Sequence, residues 1–251
     1  MIKKGNIVVL WNEKEMQLCE VDGQTKKISG IGIVDTERFI DVEWGDSVEL
    51  GRNEYRLLKP SLDDIPDLIK RKAQIIQPRM GALIAHHCNI SCGDKVVEGG
   101  AGSGVLSSIL LNKVGPEGKV YTYEVRDDFL DVARINLQNL KMDSAWEGKL
   151  GDVTSDVEER EVDAFVVDMP EPWTALDMAD ECLKNGGYFA GYMPSTNQLE
   201  KTVKEMKKHN YIDIKSFESI EREMEVSDKG IRPSFDLLGH AGYVAVGVKV
   251  P

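Results

Sequence analysis

The sequence predicts an α/β chain: a mostly parallel sheet covered by helices on both faces, preceded by a small β module. Three observations predict it. From Lys95 onward, short apolar strand-like runs alternate with helical patterns. The first such run, Val96-Val97-Glu98, enters a glycine-rich turn, Gly99-Gly100-Ala101-Gly102-Ser103-Gly104, and a helical pattern follows it. Residues 1 to about 60 instead carry β-branched and aromatic runs broken by frequent turn signals.

In chain order, Asn6–Trp11 and Arg38–Trp44 read as strands, punctuated by Asp22-Gly23, Gly30-Ile31-Gly32 and Trp44-Gly45-Asp46. Together they suggest a barrel-like β module. Nine Lys and Arg stand against eleven Asp and Glu over residues 1–60, so charge alone does not mark this module as a nucleic-acid binder. Lys59 to Pro66 reads as a linker. Residues 67–90 read as mostly helical, interrupted near Pro78. Apolar strands are expected at 95–99, 119–124, 162–168 and 187–193, with a shorter one at 146–150. Helical patterns lie at 103–114, 127–141, 173–184 and 196–209. Strand-like stretches at 211–220 and 241–249 close the chain as a hairpin added to the sheet.

A length of 251 residues suits one large α/β domain and a small accessory one, divided here as 1–62 and 63–251. Charged residues make up 29% and hydrophobic ones 41%, and no apolar run reaches the length of a membrane span. Met1–Asn6 lacks the apolar core of a signal peptide, so a cytoplasmic protein without membrane partners is expected. The net charge of -12 argues mildly against a polyanionic partner. Basic residues nevertheless cluster at Lys70, Arg71, Lys72 and Arg79, and again at Lys201, Lys204, Lys207 and Lys208. The second set recurs at helical spacing opposite Leu199, Val203 and Met206, as a solvated helix face would. Cys88-x-x-x-Cys92 lies near His86 and His87, but no second ligand pair stands at zinc-like spacing, so no metal is expected.

The residues that can carry chemistry follow the strands. A strand, a glycine turn, a helix and an acid about twenty residues on make a nucleoside-binding crevice. That acid is Glu124, placed to accept hydrogen bonds from ribose hydroxyls. Asp152, after the short strand 146–150, can accept from an adenine amino group. Asp168-Met169-Pro170-Glu171-Pro172-Trp173 follows the buried run Val162–Val167. Its two prolines fix φ and stiffen the turn, holding Asp168 at the ligand edge. Trp173 offers an aromatic surface or packs the next helix. Glycines at 100, 102 and 104 with Val105 next are not the dinucleotide fingerprint. With Glu98 just before them, they resemble motif I of S-adenosylmethionine methyltransferases.

Most of the chain resembles the bacterial and archaeal tRNA (adenine-58-N1)-methyltransferases. The resemblance rests on Arg71-Lys72-Ala73-Gln74-Ile75-Ile76-Gln77-Pro78-Arg79, Val97–Gly104, Thr122-Tyr123-Glu124 and Asp168–Trp173. It continues in Ile231-Arg232-Pro233 and Gly239-His240-Ala241-Gly242-Tyr243. It implies a Rossmann-like seven-stranded methyltransferase sheet with a small N-terminal β domain. It implies S-adenosyl-L-methionine as cofactor, on Glu98, Gly100, Gly102, Ser103, Gly104, Glu124 and Asp152. It implies tRNA as substrate, N1 of adenine 58 in the T-loop as target with position 57 left open, and a homotetramer. Asp168 matches the family's catalytic aspartate, and Gln77, Trp173, Arg232 and His240 fall on the substrate side. In one place the chain departs from the family: Gln77-Pro78-Arg79-Met80 stands where Tyr-Pro-Lys-Asp is common, and Gln77 cannot stack a base. Two rival readings remain. One is a protein L-isoaspartyl methyltransferase, which shares the glycine turn. The other is a non-catalytic RNA-holding subunit of the same fold, such as occurs in eukaryotic relatives.

Overall fold

The computed structural model describes residues 1–72, 74–227, 230–235 and 239–251. Ala73, part of the motif before the glycine turn, lies outside the described residues. Strands β1 (Ile7–Trp11), β2 (Met16–Glu20), β3 (Thr25–Ile28), β4 (Gly32–Asp35), β5 (Ser47–Leu50) and β6 (Asn53–Leu58) come first. Four of them form an antiparallel sheet in the order β2-β1-β6-β5, and β3 and β4 pair separately. Val8 and Leu10 on β1, and Tyr55 and Leu57 on β6, bury one alternating face against Ile2 and Phe39. The expected strand at Arg38–Trp44 is not there. Thr36–Phe39 is a short 3-10 turn capped by Asp35, whose carboxylate accepts from the Glu37 N–H. Asp41 then takes a left-handed φ of 65°. Capping and turn chemistry outweigh the β propensity of Phe39, Ile40 and Val42 at this point.

Helix α1 (Ile65–Leu68) is a single turn, and α2 (Pro78–His87) follows. Residues 70–72 and 74–77 between them hold neither helix nor strand, which corrects the expectation of a mostly helical 67–90. Pro78 starts a helix rather than interrupting one. Its missing N–H would be unpaired at a first turn anyway, and it pushes Gln77 to an extended ψ of 139°.

The remaining elements are β7 (Lys95–Gly99), α3 (Val105–Val114), β8 (Lys119–Glu124), α4 (Asp127–Asn139), β9 (Trp146–Leu150), β10 (Val162–Asp168), α5 (Leu176–Cys182), β11 (Leu183–Met193), α6 (Thr196–Met206), β12 (Tyr211–Glu218), β13 (Met224–Ser227), β14 (Gly230–Pro233) and β15 (Tyr243–Lys249). Seven of these strands make one sheet in the order β12-β15-β11-β10-β7-β8-β9. The inner pairs are parallel, and β15 runs antiparallel between β11 and β12. Sequence patterning marks β7, β8, β9 and β10 at their observed bounds. It misses the β13-β14 hairpin, whose residues are all exposed and so leave no burial period.

Both faces of the sheet are covered. Val97, Phe165, Val167 and Phe189 pack with Leu176, Ala179 and Met206, while Val96, Val166 and Ala190 pack with Leu106, Leu110, Ala133 and Leu137. Burying one such side chain stabilises by ~1.5–3 kcal/mol, which explains continuous apolar strands rather than alternating ones. From β7 the chain winds outward through β8 and β9, then returns to β10 on the other side. The strand order therefore reverses between β7 and β10, the place where open α/β sheets form a ligand crevice at their carboxyl ends.

Candidate active site

Gly100 leaves β7 with φ +93°, and its N–H donates to the carbonyl of Tyr123 at 2.8 Å. A β-carbon there would collide with the backbone carbonyl of Asp168. Gly104 caps α3 in the left-handed region, and a β-carbon there would lie 3.4 Å from the Cα of Ala133. At Gly102 a β-carbon would meet only open space, so a ligand can approach the backbone there.

Glu124 ends β8 beside this turn. Its Oε2 accepts from the N–H groups of Ala101 (3.1 Å) and Gly102 (3.4 Å), and its Oε1 from that of Arg126 (3.0 Å). One carboxylate thus joins the glycine turn to the start of α4. Glu98 is fully buried beneath the turn and accepts from Ser107 Oγ (2.6 Å) and Thr122 Oγ1 (2.5 Å). Among the described residues its Oε1 has no partner, and burial above all pushes its carboxyl up to about 7. Ser103 Oγ accepts from the Lys72 N–H at 3.1 Å. Asp152 Oδ1 accepts from the N–H (2.8 Å) and hydroxyl (2.7 Å) of Thr154, so that oxygen folds its own turn at the end of β9.

Asp168 ends β10 next to Gly100, across the crevice from Glu124. Among the described residues no donor lies within hydrogen-bond reach of its carboxylate. Burial, and after it the Glu124 charge, push this carboxyl up to about 7. It faces a cavity of about 470 Å³ that also meets Ile76, Tyr192, Gln198 and His240. The wall is tied together at several points. Gln198 Nε2 donates to the Pro170 carbonyl (2.7 Å), Ser195 Oγ donates to Gln198 Oε1 (2.5 Å), and the Tyr192 hydroxyl donates to the Ala241 carbonyl. The ring nitrogens of His240 face Glu218 Oε1 (2.6 Å) and the Pro194 carbonyl (2.9 Å). Glu218 first, then the Pro194 carbonyl, raise the ring's pKa above its ordinary value.

The structure brings Glu98, Gly100, Gly102, Ser103, Gly104, Glu124, Asp152 and Asp168 to one sheet edge, and His240 to the wall of the adjoining cavity. It places Gln77, Trp173 and Arg232 elsewhere. Gln77 lines a different cavity of about 420 Å³, with Arg79 and Glu221. Trp173 packs on the sheet with Lys201 Nζ 3.9 Å from its ring centre. Arg232 lies exposed on β14, paired with Glu225 and 4.4 Å from the Phe235 ring. Tyr192 and Gln198 have no local signature in the sequence and are found only through the fold. The basic clusters are partly neutralised: Arg71 pairs with Asp67, Lys72 with Asp128, Lys204 with Glu200 and Lys208 with Glu205. Among the described residues no group of three or more His, Cys, Asp or Glu could hold a metal, and no helix is long and apolar enough to cross a membrane.

Comparison with known proteins agrees with this geometry. Residues 60–244 match the family model described as tRNA methyltransferase complex GCD14 subunit. A curated relative from Methanocaldococcus jannaschii, tRNA (adenine(57)-N(1)/adenine(58)-N(1))-methyltransferase TrmI, is 35% identical over 88% of this chain and 86% of its own. The tRNA (adenine(58)-N(1))-methyltransferase TrmI of Thermus thermophilus is 28% identical over 76% of this chain and 75% of its own. A solved structure from Thermotoga maritima, described as a SAM-dependent O-methyltransferase, covers 100% of this chain and 95% of its own, with TM-score 0.86 and 30% identity. A family model spanning most of the α/β part and a relative 35% identical over 88% of the chain fix the assignment: the chain belongs to the GCD14 family of tRNA methyltransferases.

Proposed function

We propose that the protein transfers a methyl group from S-adenosyl-L-methionine to N1 of adenine 58 in the T-loop of tRNA, with position 57 as a second target to be tested. The observation that carries this reading is Asp168. A carboxylate with no hydrogen-bond donor among the described residues stands at the crevice between β7 and β10, against the glycine turn, and faces a cavity large enough for a base. The names of the Methanocaldococcus and Thermus relatives support the substrate.

The residues present fit the cofactor. The Glu124 carboxylate beside the turn suits a ligand with a ribose diol, and Gly102 leaves its backbone open to close approach. When bound, the cofactor supplies a methyl group on a sulfonium that is already a good leaving group. The protein's own work is alignment and electrostatics. Glu124 accepts from ribose hydroxyls in exchange for the amides it now holds. Gly100, Gly102, Gly104 and Ser103 shape the turn, Glu98 supports it from below, and Asp152 sits on the adenine side. Asp168 accepts from the adenine N6–H. As N1 gains the methyl, the ring becomes cationic and N6–H more acidic, so this contact strengthens in the transition state. The target base must leave its stack, which costs a few kcal/mol. Trp173, Gln77 and Arg232 lie outside the cavity around Asp168 and are proposed to meet flanking RNA.

The division at residue 62, a homotetramer and a cytoplasmic location belong to the same reading. A separate hydrophobic cluster in residues 2–57 and a family match beginning at residue 60 support the division. Sedimentation of the purified protein tests the tetramer. The function is tested by incubating tRNA with protein and labelled cofactor and mapping methylated adenosines. Label at N1 of adenine 58 is expected. Label on an isoaspartyl peptide but not on tRNA, or on neither, overturns the proposal.

A further inference from the structure

Segment 70–72 reaches the glycine turn through one side chain on α4. Asn136 is almost fully buried, 3% exposed. Its Oδ1 accepts from the Lys70 N–H at 3.1 Å, and its Nδ2 donates to the Lys70 carbonyl at 3.0 Å and the Ser103 carbonyl at 3.0 Å. A carboxamide paired with both peptide groups of one residue mimics a strand partner. Here it does so while also holding the turn that opens α3. A parallel link runs beside it, from the Lys72 N–H to Ser103 Oγ at 3.1 Å. Ser103 is therefore held from two sides, through its carbonyl by α4 and through its hydroxyl by segment 70–72. The space between Gln74–Ile76 and Gly100–Ser103 is only about 20 Å³, so the position of this segment sets how much room the turn offers a ligand.

We propose that Asn136 is a positioning residue for cofactor binding: its carboxamide locks segment 70–72 onto the glycine turn and fixes the turn's shape. This rests on the reading that the turn holds S-adenosyl-L-methionine. The chemistry of the side chain is specific. Aspartate keeps the volume and the acceptor for Lys70 N–H, but turns its second oxygen toward two carbonyl oxygens. Alanine removes all three bonds. The Lys70 N–H, the Lys70 carbonyl and the Ser103 carbonyl then lose the partner that joins them, which loosens both segments at once.

The experiment is calorimetric titration of S-adenosyl-L-methionine into the full chain, for wild type, Asn136→Ala, Asn136→Asp and the exposed-site control Gln138→Ala, followed by steady-state methylation of tRNA. Both Asn136 variants are expected to weaken cofactor affinity at least tenfold and raise the cofactor KM to match. The kcat at saturating cofactor should stay within about twofold, because Asp168 is held by other elements. The control should match wild type. The loss in Asn136→Asp should shrink as pH falls toward 5, where a protonated carboxyl can donate to a carbonyl again. In the wild-type protein, added cofactor should slow hydrogen exchange at the Lys70 and Lys72 amides, a readout that needs no variant. Lowered thermal stability with unchanged cofactor affinity, or exchange at these amides unmoved by cofactor, overturns the proposal. Wild-type protein that does not bind the cofactor at all overturns the functional reading instead.

Discussion

Gly100 and Asp168 touch backbone to backbone: the site of a missing β-carbon on the glycine is filled by the aspartate's carbonyl oxygen. The turn that receives a ligand and the turn that presents a carboxylate are thus one packed unit across the crevice. Gly100→Ala meets this carbonyl and a φ of +93° together. Such strain costs ~1–3 kcal/mol, so a lower melting temperature and at least tenfold slower methylation are expected. A variant with wild-type melting and rate would show that the two turns move independently.

Asp168→Ala and Asp168→Asn test the carboxylate. Each should cut single-turnover methylation of tRNA by about two orders of magnitude or more, the scale for one well-placed acid–base or electrostatic group. Cofactor affinity should change little. Near-wild-type rates in both would make Asp168 structural.

The same group sets a pH dependence. Its folded pKa, about 7, is raised above the ordinary carboxylate value, so the folded state holds a proton that the unfolded state has released. Its stabilising contribution is full below about pH 4 and is lost as pH rises toward and through 7. Asp168→Asn should therefore melt higher than wild type at pH 8, by at least ~2 °C, with the gain fading toward pH 4. Activity runs the other way: if the ionised form accepts from N6–H, the wild-type rate rises with pH through about 7. A flat rate profile between pH 6 and 8 would remove the ionised carboxylate from the mechanism.

Glu124→Ala removes the acceptor of three backbone N–H groups and, on the proposed reading, of the cofactor ribose. A loss of ~1–3 kcal/mol is expected, about tenfold to a hundredfold in cofactor affinity by calorimetry. Unchanged affinity in a folded variant would exclude Glu124 from the site.

Binding of tRNA should weaken with salt despite the net charge of -12. The pairs of Arg71, Lys204 and Lys208 are solvent-exposed and worth ~0–1 kcal/mol each, so a phosphate can displace their carboxylate partners. Filter-binding affinity should fall at least about tenfold between roughly 50 and 200 mM salt. A flat response would make phosphate contacts minor.

What the sequence reveals and what it hides divides along a physical line. Features made by neighbouring residues are legible: the glycine turn, Glu124 at its strand end, and the stiff turn after Asp168 each carry their signal within a few positions. Pro78 was legible too, as a helix start, but an interior break is what its surroundings suggested. Arg38–Trp44 misleads because one cap, Asp35, and one left-handed residue, Asp41, outweigh a run of strand formers. Tyr192, Gln198 and Asn136 are illegible for a different reason. Each acts on a segment 28 to 66 residues away, across the sheet or over its edge, and no short window contains both ends of such a contact.

Strand β15 lies between β11 and β12, and the segment leading into it carries His240 and Ala241, which close the cavity beside Asp168. During synthesis the glycine turn and Asp168 leave the ribosome early, yet the sheet stays open beyond β11 until residues 243–249 emerge and insert. A nascent chain therefore has the glycine turn before it has a walled cavity beside Asp168. Completion of the cavity waits for a long-range strand pairing, residues 188–193 of β11 with residues 243–248 of β15.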